Sequence, residues 1–139
     1  MDYDDWALEA GIDATSKAHT TGWESLTEIE RIFCVVNDIE REVYNGGFDQ
    51  FFYNSSGDFS MHAVEYLIKL GAIDTAKIVQ KAISFFPNSK PEIDQEKRWE
   101  QLRKIEFQAA STWEELDNKF YELEENRHLK MWQIHITSR

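Results

Sequence analysis

One carboxylate, Glu40, lies on the flank of an otherwise apolar helical face made by Ile29, Ile32, Phe33, Val36, Ile39 and Val43. A carboxyl placed there can act as a general acid or base in a pocket. It can also accept backbone N–H groups at the start of a neighbouring helix, here one opened by Gly47 or Phe48. A buried charge requires partners of that kind, which favours the structural role. Gln50 and Asn54, one turn apart, carry side-chain amides suited to tying the same loop.

The remaining reactive side chains form no recognisable catalytic set. His19, His62, His128 and His135 make no H-E-x-x-H pattern. His62 and Glu65 lie one turn apart, but a di-iron bundle needs a second such unit and further carboxylates. Cys34 has no Cys or His at ligand spacing and no electropositive setting to activate it, so it reads as a core-edge thiol. Asn45-Gly46-Gly47 lacks the lysine, the Ser/Thr and the preceding strand of a phosphate loop, and reads as a helix stop. No metal, cofactor or catalytic residue is expected.

Acidic side chains are a different matter. The 139 residues carry a formal net charge of −11. Residues 1–65 hold fourteen Asp/Glu against three Lys/Arg (Lys17, Arg31, Arg41), whereas residues 66–139 hold twelve of each. Asp4, Asp5, Glu9, Asp13, Glu28, Asp38, Glu42, Asp49 and Asp58 would converge on one surface if the first three helices pack together. Carboxylates at i and i+4 are about 6 Å apart. That resembles the separation of neighbouring phosphates along a nucleic-acid strand. Such a field repels nucleic acid and attracts basic proteins. The bland alternative is a solvated face that keeps the chain soluble.

The elements that would position these groups all read as helices. Pro occurs only at Pro87 and Pro91, and strand-like alternation is absent outside the end of the chain. Helices are expected over about 4–18 and 26–44, the second opened by a Ser25/Glu28 or Thr27/Glu30 capping box. Gly46 is placed to take the left-handed conformation that ends it. A short helix then carries Phe48, Phe51 and Phe52 and stops at Gly57. Further helices follow, capped by Ser60, Asp74 and Thr112, with another over about 93–109. Leu129–Ile136 fits a helix or a short strand. The expectation is a single all-α domain, residues 1–139, of about seven or eight helices. The aromatic content (9 Phe, 5 Tyr, 5 Trp) supplies its core. A lone cysteine, no basic leader and no apolar run near the roughly 20 residues that span a bilayer point to a cytoplasmic protein.

The run Glu40-Arg41-Glu42-Val43-Tyr44-Asn45-Gly46-Gly47-Phe48-Asp49-Gln50-Phe51-Phe52, with Asn54, Ser55 and Gly57, resembles a bacterial all-α domain family. Most members of that family have no assigned function. It includes a DNA-mimic protein that presents an acidic surface to a helix-turn-helix transcription factor. The resemblance extends more weakly to Leu26–Arg31, Ala63–Phe86 and Leu116–Tyr121. It implies that the Asn-Gly-Gly-Phe run maintains the fold and that surface acids do the binding. The expected function is therefore non-catalytic: an acidic surface that occupies the DNA-binding site of a basic regulator. The alternatives are an immunity or antitoxin-type inhibitor of a toxin and, further off, an enzyme with a pocket near Glu40. The expected partner is a basic protein, a transcription factor or a toxin, with no direct contact to nucleic acid or membrane.

Overall fold

The computed structural model describes residues 2–138. Its organising element is the helix Glu28–Tyr53, in which residues 32–39 are buried without interruption. We number the six helices of the described residues in chain order: α1 Tyr3–Thr21, α2 Glu28–Tyr53, α3 Ala63–Leu70, α4 Ile73–Ile83, α5 Gln95–Glu122 and α6 Arg127–Thr137. Short 3-10 segments at Trp23–Ser25, Ser55–His62 and Pro87–Ser89 join them. Among the described residues there is no strand, so the architecture is all-α as expected.

A one-sided amphipathic helix exposes its far side. In α2 both sides are covered, because α1 packs on one and α5 and the 3-10 segment 55–62 on the others. The face that α1 presents to α2 is built from small residues: Ala7, Gly11, Ala14, Thr15 and Ala18 are all buried. The two backbones therefore come close, and a Cβ on Gly11 would sit 2.7 Å from the Asn37 Cβ. A single apolar cluster runs through all six helices, with Phe48, Phe51, Phe52, Phe86, Phe120, Leu67 and Met131 at its centre.

Local signals explain most boundaries. Asp2 caps α1 by accepting the Asp5 N–H at 2.9 Å. Thr27 and Glu30 form the capping box of α2, which settles the choice between the two boxes that the sequence offers. Asp94 and Asn126 cap α5 and α6 through the Lys97 and Leu129 amides. Gly71, in the left-handed region, ends α3. The closing Leu129–Ile136 stretch is helical.

Other boundaries differ from expectation. The turn in α2 belongs to Gly47 (φ 78°, ψ −176°), not Gly46. The helix that carries the phenylalanines ends at Tyr53, with Asn54 as its C-cap, rather than at Gly57. Ser60 lies inside a 3-10 segment and bonds back to the Gly57 carbonyl instead of capping α3. Asp74 lies in the first turn of α4, whose cap position is Ala72. Thr112 and Glu115 fall in mid-helix, because nothing between Ala109 and Thr112 interrupts the backbone ladder of α5. One long helix thus replaces two expected ones, the kinked α2 replaces the pair expected on either side of Gly47, and the count falls from seven or eight to six among the described residues.

Candidate functional site

Three polar networks absorb most of the interior charge, and they separate the carboxylates that hold the fold from those left at the surface.

The first network surrounds the Gly47 kink. The kink frees the Phe48 N–H from the helical ladder, and Asp117 Oδ1 on α5 accepts it at 2.8 Å. The positive φ of Gly47, combined with its extended ψ, belongs to a region essentially reserved for glycine. A Cβ there would lie 2.3 Å from Asp117 Oδ2. Beyond the kink the chain turns back over its own helix, so Gln50 Nε2 and Asn54 Nδ2 donate to Glu42 Oε2 at 2.6 and 3.1 Å. Arg98, fully buried, closes the far end. Its guanidinium donates to the carbonyls of Phe52, Asn54, Glu92 and Ile93 and to Asp58 Oδ1. Gly57 leaves room for it, since a Cβ there would sit 2.8 Å from both the Arg98 Nε and the Phe51 carbonyl.

The second network corrects the expectation for Glu40. That carboxylate accepts no backbone N–H; it faces α6. Arg127 Nε donates to Glu40 Oε2 at 2.8 Å, and His128 Nε2 pairs with Glu40 Oε1. The other ring nitrogen of His128 lies 2.9 Å from Asp4 Oδ1. A neutral imidazole has one N–H, so only the imidazolium donates to both carboxylates. The Glu40 hydrogen bond outweighs partial burial and, with Asp4, raises the His128 pKa. Burial would push the Glu40 carboxyl up, but the His128 and Arg127 contacts prevail and hold it below its ordinary value. Arg127 also reaches Thr75 Oγ1 and the Tyr44 hydroxyl, and lies 4.6 Å above the Phe120 ring centroid. The kink role foreseen for Glu40 is divided between Asp117 and Glu42.

The third network is deeply buried between α1 and α2. Thr15 Oγ1 donates to Asp38 Oδ1 at 3.1 Å, and Cys34 Sγ approaches Asp38 Oδ2 at 3.6 Å. Arg41 Nη2 is 3.7 Å away. Burial dominates and pushes the Asp38 carboxyl up to about 7. Burial and the nearby Asp38 likewise push the Cys34 thiol up, away from the reactive thiolate.

The nine surface acids therefore do not form one face. Asp38 and Glu42 are only 2% and 8% exposed, because α1 covers the first and the returning chain covers the second. Asp58 is paired with Arg98, Glu28 with Lys69 and Asp4 with His128. Asp5, Glu9 and Asp13 remain exposed, one row along α1 at successive i, i+4 positions, with no ion pair among the described residues. Asp49 stands apart from that row. It lines a groove of about 450 Å³ with Glu106, Phe107, Ala110, Trp113, Glu114 and Asp117. Among the described residues no group of three or more His, Cys, Asp or Glu side chains could hold a metal ion. No helix among them is long and apolar enough to cross a membrane.

Sequence reasoning missed Arg98, Arg127 and Asp117. The signal for the arginines was present: Arg98 continues the buried register Leu102, Ile105 and Ala109, and Arg127 the register of Met131. A cation on an apolar stripe announces buried acceptors.

These features define an all-helical domain whose kinked central helix is locked by buried ion pairs and whose free carboxylates lie outside. The chain belongs to the DMP19-like protein family, whose model matches residues 24–136. No curated protein and no solved structure matches it significantly. The matched span contains all of α2 to α5, whereas the row Asp5, Glu9 and Asp13 precedes it.

Proposed function

We propose that the protein is a non-catalytic binding domain whose exposed carboxylates occupy a basic site on a partner protein, most concretely the DNA-binding surface of a helix-turn-helix regulator. The observation that carries this reading is the α1 row. Asp5, Glu9 and Asp13 are exposed, unpaired among the described residues, and spaced about 6 Å apart on one rigid helix. Each can replace one phosphate in accepting a Lys or Arg side chain. The resemblance of the Asn-Gly-Gly-Phe run to a family that includes a DNA mimic adds support. The pairing of Glu40 with Arg127 and His128 supports a structural role for that carboxylate in place of the general acid or base.

The experiment is affinity capture from the native host's lysate at low and at high salt, followed by elution with duplex DNA. Mimicry predicts a basic DNA-binding protein that is retained at low salt, released by high salt and displaced by DNA. A toxin-like partner that survives high salt would replace mimicry with inhibition of that toxin. An identical capture pattern for a chain with Asp5→Asn, Glu9→Gln and Asp13→Asn would remove α1 from the mechanism.

A further inference from the structure

The groove between the kink of α2 and the outer face of α5 lies apart from the α1 row. Its floor is apolar: Ala110 and the buried edge of Trp113 continue into Phe107, which is 94% exposed. A phenylalanine so fully in water contributes nothing to the core, and burial of its ring would be favourable. Four carboxylates rim that floor, Asp49, Glu106, Glu114 and Asp117, and no Lys or Arg lines it. Asp49, Glu106 and Glu114 make no ion pair among the described residues. Asp117 keeps one oxygen on the Phe48 N–H. Burial raises the Asp117 pKa, and the charges of Asp49 and Glu114 raise it further against the pull of that N–H.

The groove has a direction. Arg103 lies one turn N-terminal of Phe107 on the same side of α5 and only Glu106 stands beside that ring, whereas three of the four carboxylates, Asp49, Glu114 and Asp117, gather at the opposite end. The apolar anchor point and the negative pole are therefore separated along the helix.

From this we infer that the α5 groove is a docking site for a cationic amphipathic segment of a partner protein, with an apolar side chain packed on Phe107 and a Lys or Arg seated among Asp49, Glu114 and Asp117. Both halves of the occupant's chemistry follow from complementarity. A nucleic acid would be repelled by the rim, and an acidic or neutral segment would leave four carboxylates uncompensated. A helix with anchors one or two turns apart fits a groove that follows a helix axis. The site stands independently of the α1 row, and either can fail without the other.

The test uses the full-length, isotope-labelled chain and a synthetic helical peptide of about twelve residues, with two Leu and three Arg on one face in an Ala/Gln background. Two control peptides replace Leu with Ser or Arg with Glu. Amide shift changes confined to residues around Asp49, Phe107 and Asp117, with the Trp113 indole, are expected. Affinity should fall about tenfold for Phe107→Ser and for Glu114→Lys, as for loss of a central anchor. Both sites are exposed, so the fold is kept. The triple variant Asp5→Asn, Glu9→Gln, Asp13→Asn should bind as the parent chain does. Shift changes along α1, or spread over every acidic surface, would overturn the assignment. So would equal affinity for the Leu-to-Ser peptide, because the contact would then be charge alone.

Discussion

The Gly47 kink and the outer face of α1 use the same chemical group to opposite ends. Around the kink three carboxylates have fixed donors: Glu42 holds Gln50 and Asn54, Asp117 holds the Phe48 N–H, and Asp58 holds Arg98. Along α1 the carboxylates of Asp5, Glu9 and Asp13 have no fixed cation among the described residues. A buried carboxylate without donors would destabilise the fold, so its partners are built in. An exposed one is hydrated and loses little by exchanging water for a partner's cation. Charge in this protein therefore divides into a structural set inside and an available set outside, and sequence position does not tell them apart.

The largest test of that division is Arg98→Met. It removes the Arg98 donor from four carbonyls and Asp58, only the Asn54 carbonyl keeping the Gly57 N–H, and should lower stability by about 3–5 kcal/mol in urea unfolding. A loss below 1 kcal/mol would mean that the network at the end of α2 is dispensable. Gly47→Ala should follow at about 2–3 kcal/mol, from a backbone region closed to alanine and a clash with Asp117. Gly46→Ala would also be harmful, through a clash with Gln50, so the test is Gly47→Ala itself: a loss below about 0.5 kcal/mol would mean that the turn does not need the positive φ there.

Two titrations sharpen the comparison further. The folded pKa of His128 is raised, so the Asp4–His128–Glu40 bridge stabilises fully below the unfolded value of about 6.5 and fades as pH rises through the folded value. His128→Asn should remove that loss of stability with rising pH. Asp38 behaves in the same sense at lower pH. Its carboxyl stays protonated in the fold up to about 7, so stability contributed below the ordinary Asp value is lost between there and pH 7. Asp38→Asn should flatten urea midpoints across that window. A steeper fall in the variant would contradict burial as the cause. The smallest effect belongs to the exterior: Glu9→Gln should change stability by less than about 0.5 kcal/mol, while Glu42→Gln costs about 1–3 kcal/mol.

How far these roles are legible in the sequence depends on whether one helix or several decide them. The all-α class and a capping box ahead of α2 are local and legible, although the choice of Thr27 and Glu30 over Ser25 and Glu28 and the Glu42 partner of Gln50 and Asn54 are seen only in the fold. Glu40 and Glu42 are two residues apart and therefore point to different sides of α2. The sequence marks the first as the one near the core, yet the chain that returns after Gly47 covers the second. Asp38 is lost to the surface because α1 lies over it, which no pattern within α2 records. Thr112 carries a cap signal that the surrounding helix-forming residues override. Asp5, Glu9 and Asp13 stand among the nine acids that the sequence offers, but nothing local separates them from Asp38 or Glu42, which other elements cover.

The most direct measurement is the affinity of the captured basic partner for the parent chain and for the Asp5→Asn, Glu9→Gln, Asp13→Asn variant across a salt series. Mimicry through α1 predicts steep weakening with salt for the parent and both a lower affinity and a shallower slope for the variant, at unchanged stability. Equal affinities and equal slopes for the two chains would contradict it.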